Sequence, residues 1–490
     1  MVINLYILCK GLKIDTHSGK SIKNTFCILT YICFFIVLLL TACNTKLHAD
    51  EFCGREGEVK LLILDPGHFH ADLILKKTNP RISPKVYIYA PSGTELDQHV
   101  SRIQSYNARE KEPTSWNPIV YKQDNFFKQM IHDKNGNVVV LAGNNELKTS
   151  YILKSVEAGF NVLSDKPLVI NEDNFKLLKE ALELAAKKQL VVYDMMTERF
   201  NLLNMIQKRL VNNTSLFGNL QTGSEDDPAI KQKSVHHFYK QISGSPLIRP
   251  AWYYDVAQQG EGVVDVTTHM IDLINWTCFD RMLIDYTKDV DVYNAKSWST
   301  ELTLDEFSAS TKLHDFPAYL DKYIDKGKLK VFSNGEIGYK INQTHVRLTV
   351  QWDYQAPEGG GDTHSSVIKG TNATCEIVQD MEHGFIPQLY FSKNNNFGRD
   401  DFEANLVAFI EEIRLDYPSV SLVRQGDKYL VKIPLDIRES HETHFSNVAD
   451  SYFDFLMKGQ IPAWEKYNIL AKYFITTTAL KIAKTVPECD

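Results

Sequence analysis

The 490-residue chain has little cysteine, no run of basic residues and no internal repeat, and each lack narrows what it can be. Of its eight cysteines, four lie at or before Cys43, and the others, Cys53, Cys278, Cys375 and Cys489, are too sparse and scattered for a disulfide framework. A formal net charge of −7 without a basic stretch argues against nucleic acid as a partner. No period of roughly 20 to 50 residues and no low-complexity tract is visible, which excludes solenoids and propellers. What is present is an ordinary globular composition, 43% hydrophobic and 23% charged, over a length sufficient for two domains.

The amino terminus reads as a targeting segment. Lys20 and Lys23 precede an uncharged apolar run from Thr25 to Ala42, the order of a charged n-region and a hydrophobic h-region. The run ends in Leu40-Thr41-Ala42-Cys43, which resembles a bacterial lipobox. Residues 1–42 are therefore expected to be a lipoprotein signal peptide, with Cys43 lipidated and the protein held to a membrane of the bacterial cell envelope, periplasmic or outer. The polar stretch 43–58 reads as a tether.

From residue 59 to about 196, short apolar strands alternate with helical segments. Leu61–Leu64, Val86–Ala90, Val138–Ala142, Asn161–Ser164 and Leu190–Asp194 have strand character. Lys148–Ala158 reads as a helix ended by Gly159, and Asn174–Lys188 as a helix burying Phe175, Leu178, Ala181, Leu182 and Ala185 on one face. In such parallel sheets ligands bind at the carboxyl ends of the strands, which puts Gly143-Asn144-Asn145 and Asp165-Lys166-Pro167 at a binding edge. Ser92–Asn117 is a polar insertion with no assigned structure.

The second motif is Gly260-Glu-Gly-Val-Val-Asp-Val-Thr-Thr-His-Met-Ile-Asp272. On a helix Asp265 and His269 would share a face with Asp272 one turn on, so that a carboxylate orients an imidazole for acid–base work near neutral pH. The same spacing also serves a buried histidine held for structural reasons.

Together these elements resemble the Gfo/Idh/MocA family of sugar oxidoreductases. The family's Glu-Lys-Pro appears as Asp165-Lys166-Pro167, and its Asp-x-Gly-x-His-x-x-Asp as Asp265 to Asp272 with Thr267 in place of the glycine. Its Arg-Phe after the sixth strand is matched by Arg199-Phe200. The resemblance implies a Rossmann-like domain over 59–196 and, over 197–490, an α+β domain with a large open, mainly antiparallel sheet that covers the sugar and associates with another subunit. It implies NAD or NADP as cofactor, with Gly67, His68, Phe69, His70, Gly143, Asn144, Asn145, Asp165, Lys166 and Arg199 around it. Lys166, Asp265 and His269 would be catalytic, and Lys148, Trp252, Tyr253 and Asp272 would meet a sugar or glycoside. In the stretch Trp352–His364 three consecutive glycines leave the backbone free to approach a ligand, with Asp362 and His364 as polar groups and Trp352 and Tyr354 as stacking faces, although the same stretch also reads as a flexible hairpin loop. Outside the inner membrane no diffusible NAD pool is expected, so a tightly held cofactor regenerated within each cycle, as in NAD-dependent glycosidases, fits the compartment.

The departures matter. After Leu61–Leu64 the chain reads Asp65-Pro-Gly67-His-Phe-His70, keeping only the middle glycine of the expected Gly-x-Gly-x-x-Gly. The end of the second strand, Val86–Ala90, lacks the carboxylate that holds a ribose. A cofactor-free carbohydrate-binding lipoprotein is the rival reading. A metal-assisted lyase or hydrolase with His68, His70 and Asp65 as ligands is another, but spacing fixes no third ligand and no metal is assigned. His236-His237 and His441-Glu-Thr-His444 read as structural, because adjacent residues point apart on a strand and the second cluster misses zincin spacing.

Overall fold

The computed structural model describes residues 52–485 apart from 243–244 and 396–397. The signal peptide, Cys43, most of the tether and Cys489 lie outside the described residues. Residues 52–58, expected as tether, are folded: Phe52 packs against the first core, and the Glu58 carboxylate accepts from the backbone of Cys53 and Arg55.

Six strands form the first sheet: β1 (Leu61–Leu64), β2 (Lys85–Ala90), β3 (Asn117–Lys122), β4 (Val138–Leu141), β5 (Asn161–Ser164) and β6 (Val192–Asp194). Their order is β3-β2-β1-β4-β5-β6, every neighbouring pair parallel, so the chain reverses its winding between β1 and β4. All four residues of β1, β4 and β5 are buried, which is why these strands read as continuous apolar runs rather than alternating ones. The helix Lys148–Ala158 ends on Gly159 at φ 95°, a left-handed position that suits glycine. Glu172–Lys188 starts behind Asn171, whose side chain accepts from the Asn174 amide, and buries the predicted face. The polar insertion is the helix Thr94–Ala108 and the loop that leads into β3.

The second half is built on a ten-stranded sheet among the described residues. Its spine runs Val290–Leu302, Lys328–Ile341, Thr344–Gln355, β7 (Ile230–Tyr239), Thr363–Lys369, Ala373–Gln379 and Gln388–Lys393. Neighbours are antiparallel except Thr344–Gln355 against β7, which is parallel. One face packs on the helices Leu202–Val211, Thr267–Cys278, Arg399–Asp416 and Ala463–Ala483, giving a core that includes Ile274, Leu348, Phe391, Phe402, Phe409 and Ile475.

The last two helices return to the first sheet. His441–Lys458 contributes Phe445, Val448, Tyr452, Phe453 and Leu456 to the core that also holds Val59, Leu73 and Ile88. From Ala463–Ala483, the Tyr473 hydroxyl accepts from the Leu168 amide at 3.0 Å and donates to the Asp194 carboxylate at 3.1 Å. Among the described residues no helix is long and apolar enough to cross a membrane.

Candidate active site

Three turns at the carboxyl edge of the parallel sheet and the residues after β6 converge on one cavity of about 480 Å³. His68, Phe69 and His70 follow β1, Gly143 and Asn145 follow β4, Asp165 and Lys166 follow β5, and Glu198 and Asn201 follow β6. Trp252, Tyr253, Asp265 and His269 form a second wall, and Ser234, His236, Trp352, Asp362 and His364 from the large sheet form the third. A smaller cavity of about 250 Å³ adjoins it across the Gly67 and Asn144 turns, with Trp252 lining both.

At the centre, Lys166 Nζ donates to Asp265 Oδ1 at 2.6 Å, and both side chains are largely buried. Burial alone would raise the Asp265 pKa, but the Lys166 charge and hydrogen bond outweigh it and hold the carboxyl below its usual value. Gln259 Nε2 takes the other oxygen at 3.1 Å. This refines one expectation. Asp265 precedes the helix, which begins at Thr267, and its carboxylate is hydrogen-bonded to Lys166 and Gln259 while the His269 imidazole acts on it through charge. The Gly-x-Gly is a packing device: a Cβ on Gly262 would stand 2.0 Å from the Ser333 carbonyl, and Gly260 sits at φ 98°.

Asp165 is a hub. Its Oδ2 lies 2.9 Å from His70 Nδ1 and 3.5 Å from His68 Nδ1. Burial would raise its pKa, but these rings and Lys148 keep the carboxyl well below the usual carboxylate range. Burial likewise pushes the His68 imidazole well below its ordinary value, so the ring is neutral. Lys148, expected at the substrate, is only 2% exposed and does not line the cavity. Its Nζ donates to Asn145 Oδ1 and, at 3.1 Å, to the Asp165 carbonyl, and burial pushes its pKa down to about 8. Asn144 and Asn145 give their side chains to Gln258 Oε1 and the Gln259 carbonyl, tying the first sheet to the segment that carries Gln259 and Asp265.

Arg199 and Asp272, expected at cofactor and substrate, are in neither cavity. Arg199 bonds both Asp272 oxygens at 2.6 and 2.7 Å and also holds Glu465, while Lys472 bridges Asp272 at 2.8 Å and Asp194 at 2.7 Å. The reason is burial: three carboxylates and two cations are enclosed between helices from distant parts of the chain, where each charge requires a partner.

On the sheet wall, Ser234 Oγ is 2.7 Å from His236 Nε2 and His236 Nδ1 is 3.4 Å from Asp362 Oδ2. His237 Nδ1 at 2.9 Å and Lys240 Nζ at 2.8 Å complete the partners of Asp362. Burial would raise the Asp362 pKa, yet hydrogen bonding from His236 and the Lys240 charge hold it well down, while burial lowers His364 to about 4. The His236 ring stacks on Trp352 at 5.1 Å. The sequence reading treated His236 as structural; the signal that reveals it is the polar stripe Gln232, Ser234, His236 at every second position of β7. The glycine loop 358–361 stays out of the cavity, and only the flanking Trp352, Asp362 and His364 enter it.

The residues at the sheet edge fit a dinucleotide. Gly67 and Gly143 pass so closely that a Cβ on Gly143 would lie 2.4 Å from the Asp65 carbonyl, and one on Gly67 would lie 3.2 Å from Trp252 Cζ2. The carboxylate missing from the end of β2 comes five residues later: Glu95 lines the smaller cavity opposite Asp65. Asp65, a ligand only in the rival metal reading, faces that cavity, and burial with the nearby Glu95 raises its pKa to about 6. The amides of Gly67 and His68 both donate to the Ala142 carbonyl at 3.1 Å, and the helix that follows has only four residues, so this turn offers an anion less than the usual helix terminus does.

A doubly wound sheet with a cavity at its carboxyl edge, closed by a large open sheet, is the architecture of a dinucleotide-binding α/β protein. The chain belongs to the Gfo/Idh/MocA family. The model of the oxidoreductase family with an NAD-binding Rossmann fold matches residues 87–194, and the model for the C-terminal domain of candidate oxidoreductases matches residues 206–484. A crystal structure of a candidate oxidoreductase from Parabacteroides merdae is 45% identical with a TM-score of 0.87, covering 89% of this chain and all of its own. Levoglucosan dehydrogenase in complex with NADH shares the fold at 14% identity and TM-score 0.54, covering 87% of this chain and 97% of its own. A candidate oxidoreductase from Erwinia carotovora does so at 12% identity and TM-score 0.53, covering 87% and 98%. No curated protein matches. The protein is thus an oxidoreductase of this family with NAD or NADP as cofactor.

Proposed function

We propose that the protein oxidises a hydroxyl of a sugar or glycoside, working in the cell envelope from a lipid anchor at Cys43. The observation that carries the reading is the Lys166–Asp265 pair at 2.6 Å, opening with His269 onto one cavity walled by Trp252, Tyr253 and Trp352. Aromatic faces and paired polar groups suit a sugar ring, whose two faces are apolar and whose rim is polar. The levoglucosan dehydrogenase of the same fold has been seen with NADH and levoglucosan, which supports the substrate class.

His269 takes the proton of the reacting hydroxyl, and the Lys166 ammonium stabilises the alkoxide that develops. Asp265, itself held by Gln259, fixes that ammonium in place. Gly67, Asn144 and Glu95 of the smaller cavity and Gly143 of the larger would hold the dinucleotide, Glu95 through ribose hydroxyls. The nicotinamide supplies hydride chemistry when bound. A cofactor kept on the protein and regenerated in each cycle suits a compartment without an NAD pool, and oxidation at one carbon acidifies its neighbour so that a glycosidic bond can be eliminated.

The test is a comparison of Lys166→Ala, His269→Ala and the double variant in turnover of a glycoside that the wild type consumes. Each single change is expected to lower the rate by about 10²–10⁴-fold, with the double variant little worse than either, because both groups act in one step. Additive losses, or undiminished activity in folded His269→Ala, overturn the assignment.

A further inference from the structure

His68, His70 and Asp165 have no part in the proton transfer described above, and the sequence assigned no metal. Each offers one ligating atom, and the three atoms lie within 4.8 Å of one another. The two imidazole Nδ1 atoms are 2.9 and 3.5 Å from the same carboxylate oxygen. Donors bound to zinc at roughly 2.0–2.2 Å stand about 3.0–3.5 Å apart at octahedral to tetrahedral angles, and the two carboxylate–imidazole distances lie close to that range.

The cluster is also preformed. His68 and His70 sit two residues apart in the turn after β1, their rings 4.0 Å apart and perpendicular. Asp165 is pinned by its own amide on the Leu141 carbonyl and by Lys148 Nζ on its carbonyl. The neighbouring cations are already engaged, Lys148 with Asn145 and Lys166 with Asp265. One imidazole is enough to hold a carboxylate; two converging on a single oxygen is what a shared cation organises.

We propose that His68, His70 and Asp165 bind a divalent transition-metal ion of the zinc class. Two imidazoles and one carboxylate select such ions over magnesium or calcium. All three ligands line the 480 Å³ cavity, so the remaining coordination positions open toward substrate, as in catalytic sites and unlike closed structural ones. An ion there would polarise a sugar oxygen or its carbonyl product within the same cavity as Lys166 and His269.

The experiment is a titration of chelator-treated full-length protein with Co²⁺, followed by its visible absorption, and with Zn²⁺ by calorimetry. One ion per chain is expected. His68→Ala and His70→Ala should each weaken binding by more than about 100-fold, the upper end for losing only a partner behind a ligand. Asp165→Asn, nearly the same in shape, should do likewise and decides the matter if a histidine variant fails to fold. His236→Ala, which alters the other histidine cluster, should bind as the wild type does. Absence of saturable binding, or equal affinity in the His68, His70 and Asp165 variants, overturns the proposal.

Discussion

Replacing Arg199 by leucine tests whether this residue holds the fold together or the cofactor. In the structure the guanidinium is 5% exposed and makes contacts to two carboxylates. After its loss Asp272 keeps Lys472 at 2.8 Å and Asn468 at 3.3 Å, so its charge stays compensated. Glu465 loses the cation that opposes its burial, and its pKa, already raised by burial in the wild type, rises further. Breaking such a pair costs about 3–5 kcal/mol, and protonation of Glu465 limits the loss at low pH. The sign follows from linkage: a carboxyl whose folded pKa lies above its unfolded value binds more protons when folded, so stability falls as pH rises from the unfolded pKa through the folded one. Urea unfolding should therefore show a larger deficit at pH 7.5 than at pH 5.5, changing by at most about 1.4 kcal/mol per pH unit. NAD titrated into the folded variant should bind with wild-type affinity. An unchanged unfolding midpoint together with lost NAD binding would refute the reasoning and return Arg199 to the cofactor.

Asp65, at a pKa of about 6, is an anion at neutral pH beside the proposed path of a diphosphate, so NAD affinity measured by calorimetry should rise as pH falls from 7.5 to 5.5. Asp65→Asn should remove that pH dependence and bind more tightly at pH 7.5; a slope surviving in the variant contradicts this. Gly67→Ala places a methyl 3.2 Å from Trp252 Cζ2 and 3.4 Å from Gly143 Cα, and should leave the protein folded while weakening NAD by roughly tenfold, or 1.4 kcal/mol; unaltered affinity would remove this turn from the cofactor path. Labelling cells with a tagged fatty acid should mark the wild type and not Cys43→Ala, and equal labelling of both would end the lipoprotein proposal.

The first sheet was legible because its strands are buried on both faces and so appear as unbroken runs such as Val138–Leu141, punctuated by Gly143 and Gly159. β3 was hidden because Asn117–Lys122 has only exposed and half-buried positions and an apolar run of just Ile119-Val120-Tyr121, hemmed by Pro118 and Lys122. Lys166 and His269 could be placed at one cavity only through the family resemblance, since neither local motif says where the other lies. The partnerships were not legible, since Asp165 meets His70 across 95 residues and Asp272 meets Lys472 across 200, separations that no spacing rule spans. Asp265 stands at helical distance from His269, but the helix begins two residues after it, and periodicity gave no sign of its hydrogen bonds to Lys166 and Gln259. Glu95 was overlooked because the expected acid lies at the end of β2, whereas here the chain turns through Pro91–Gly93 before presenting one.

The return of the last two helices has a consequence for the order in which the molecule can be made. Phe445, Tyr452 and Phe453 complete the apolar interior of the first sheet, and Tyr473 caps the Leu168 amide beside Lys166. The strands that would hold the nucleotide are synthesised first yet cannot finish their own interior until some 300 further residues have emerged, an estimate that follows from the position of these helices in the chain. A ribosome-stalled or truncated chain ending before His441 would carry an open, apolar face on its oldest part, so the nucleotide site would become competent only after the final helices emerge.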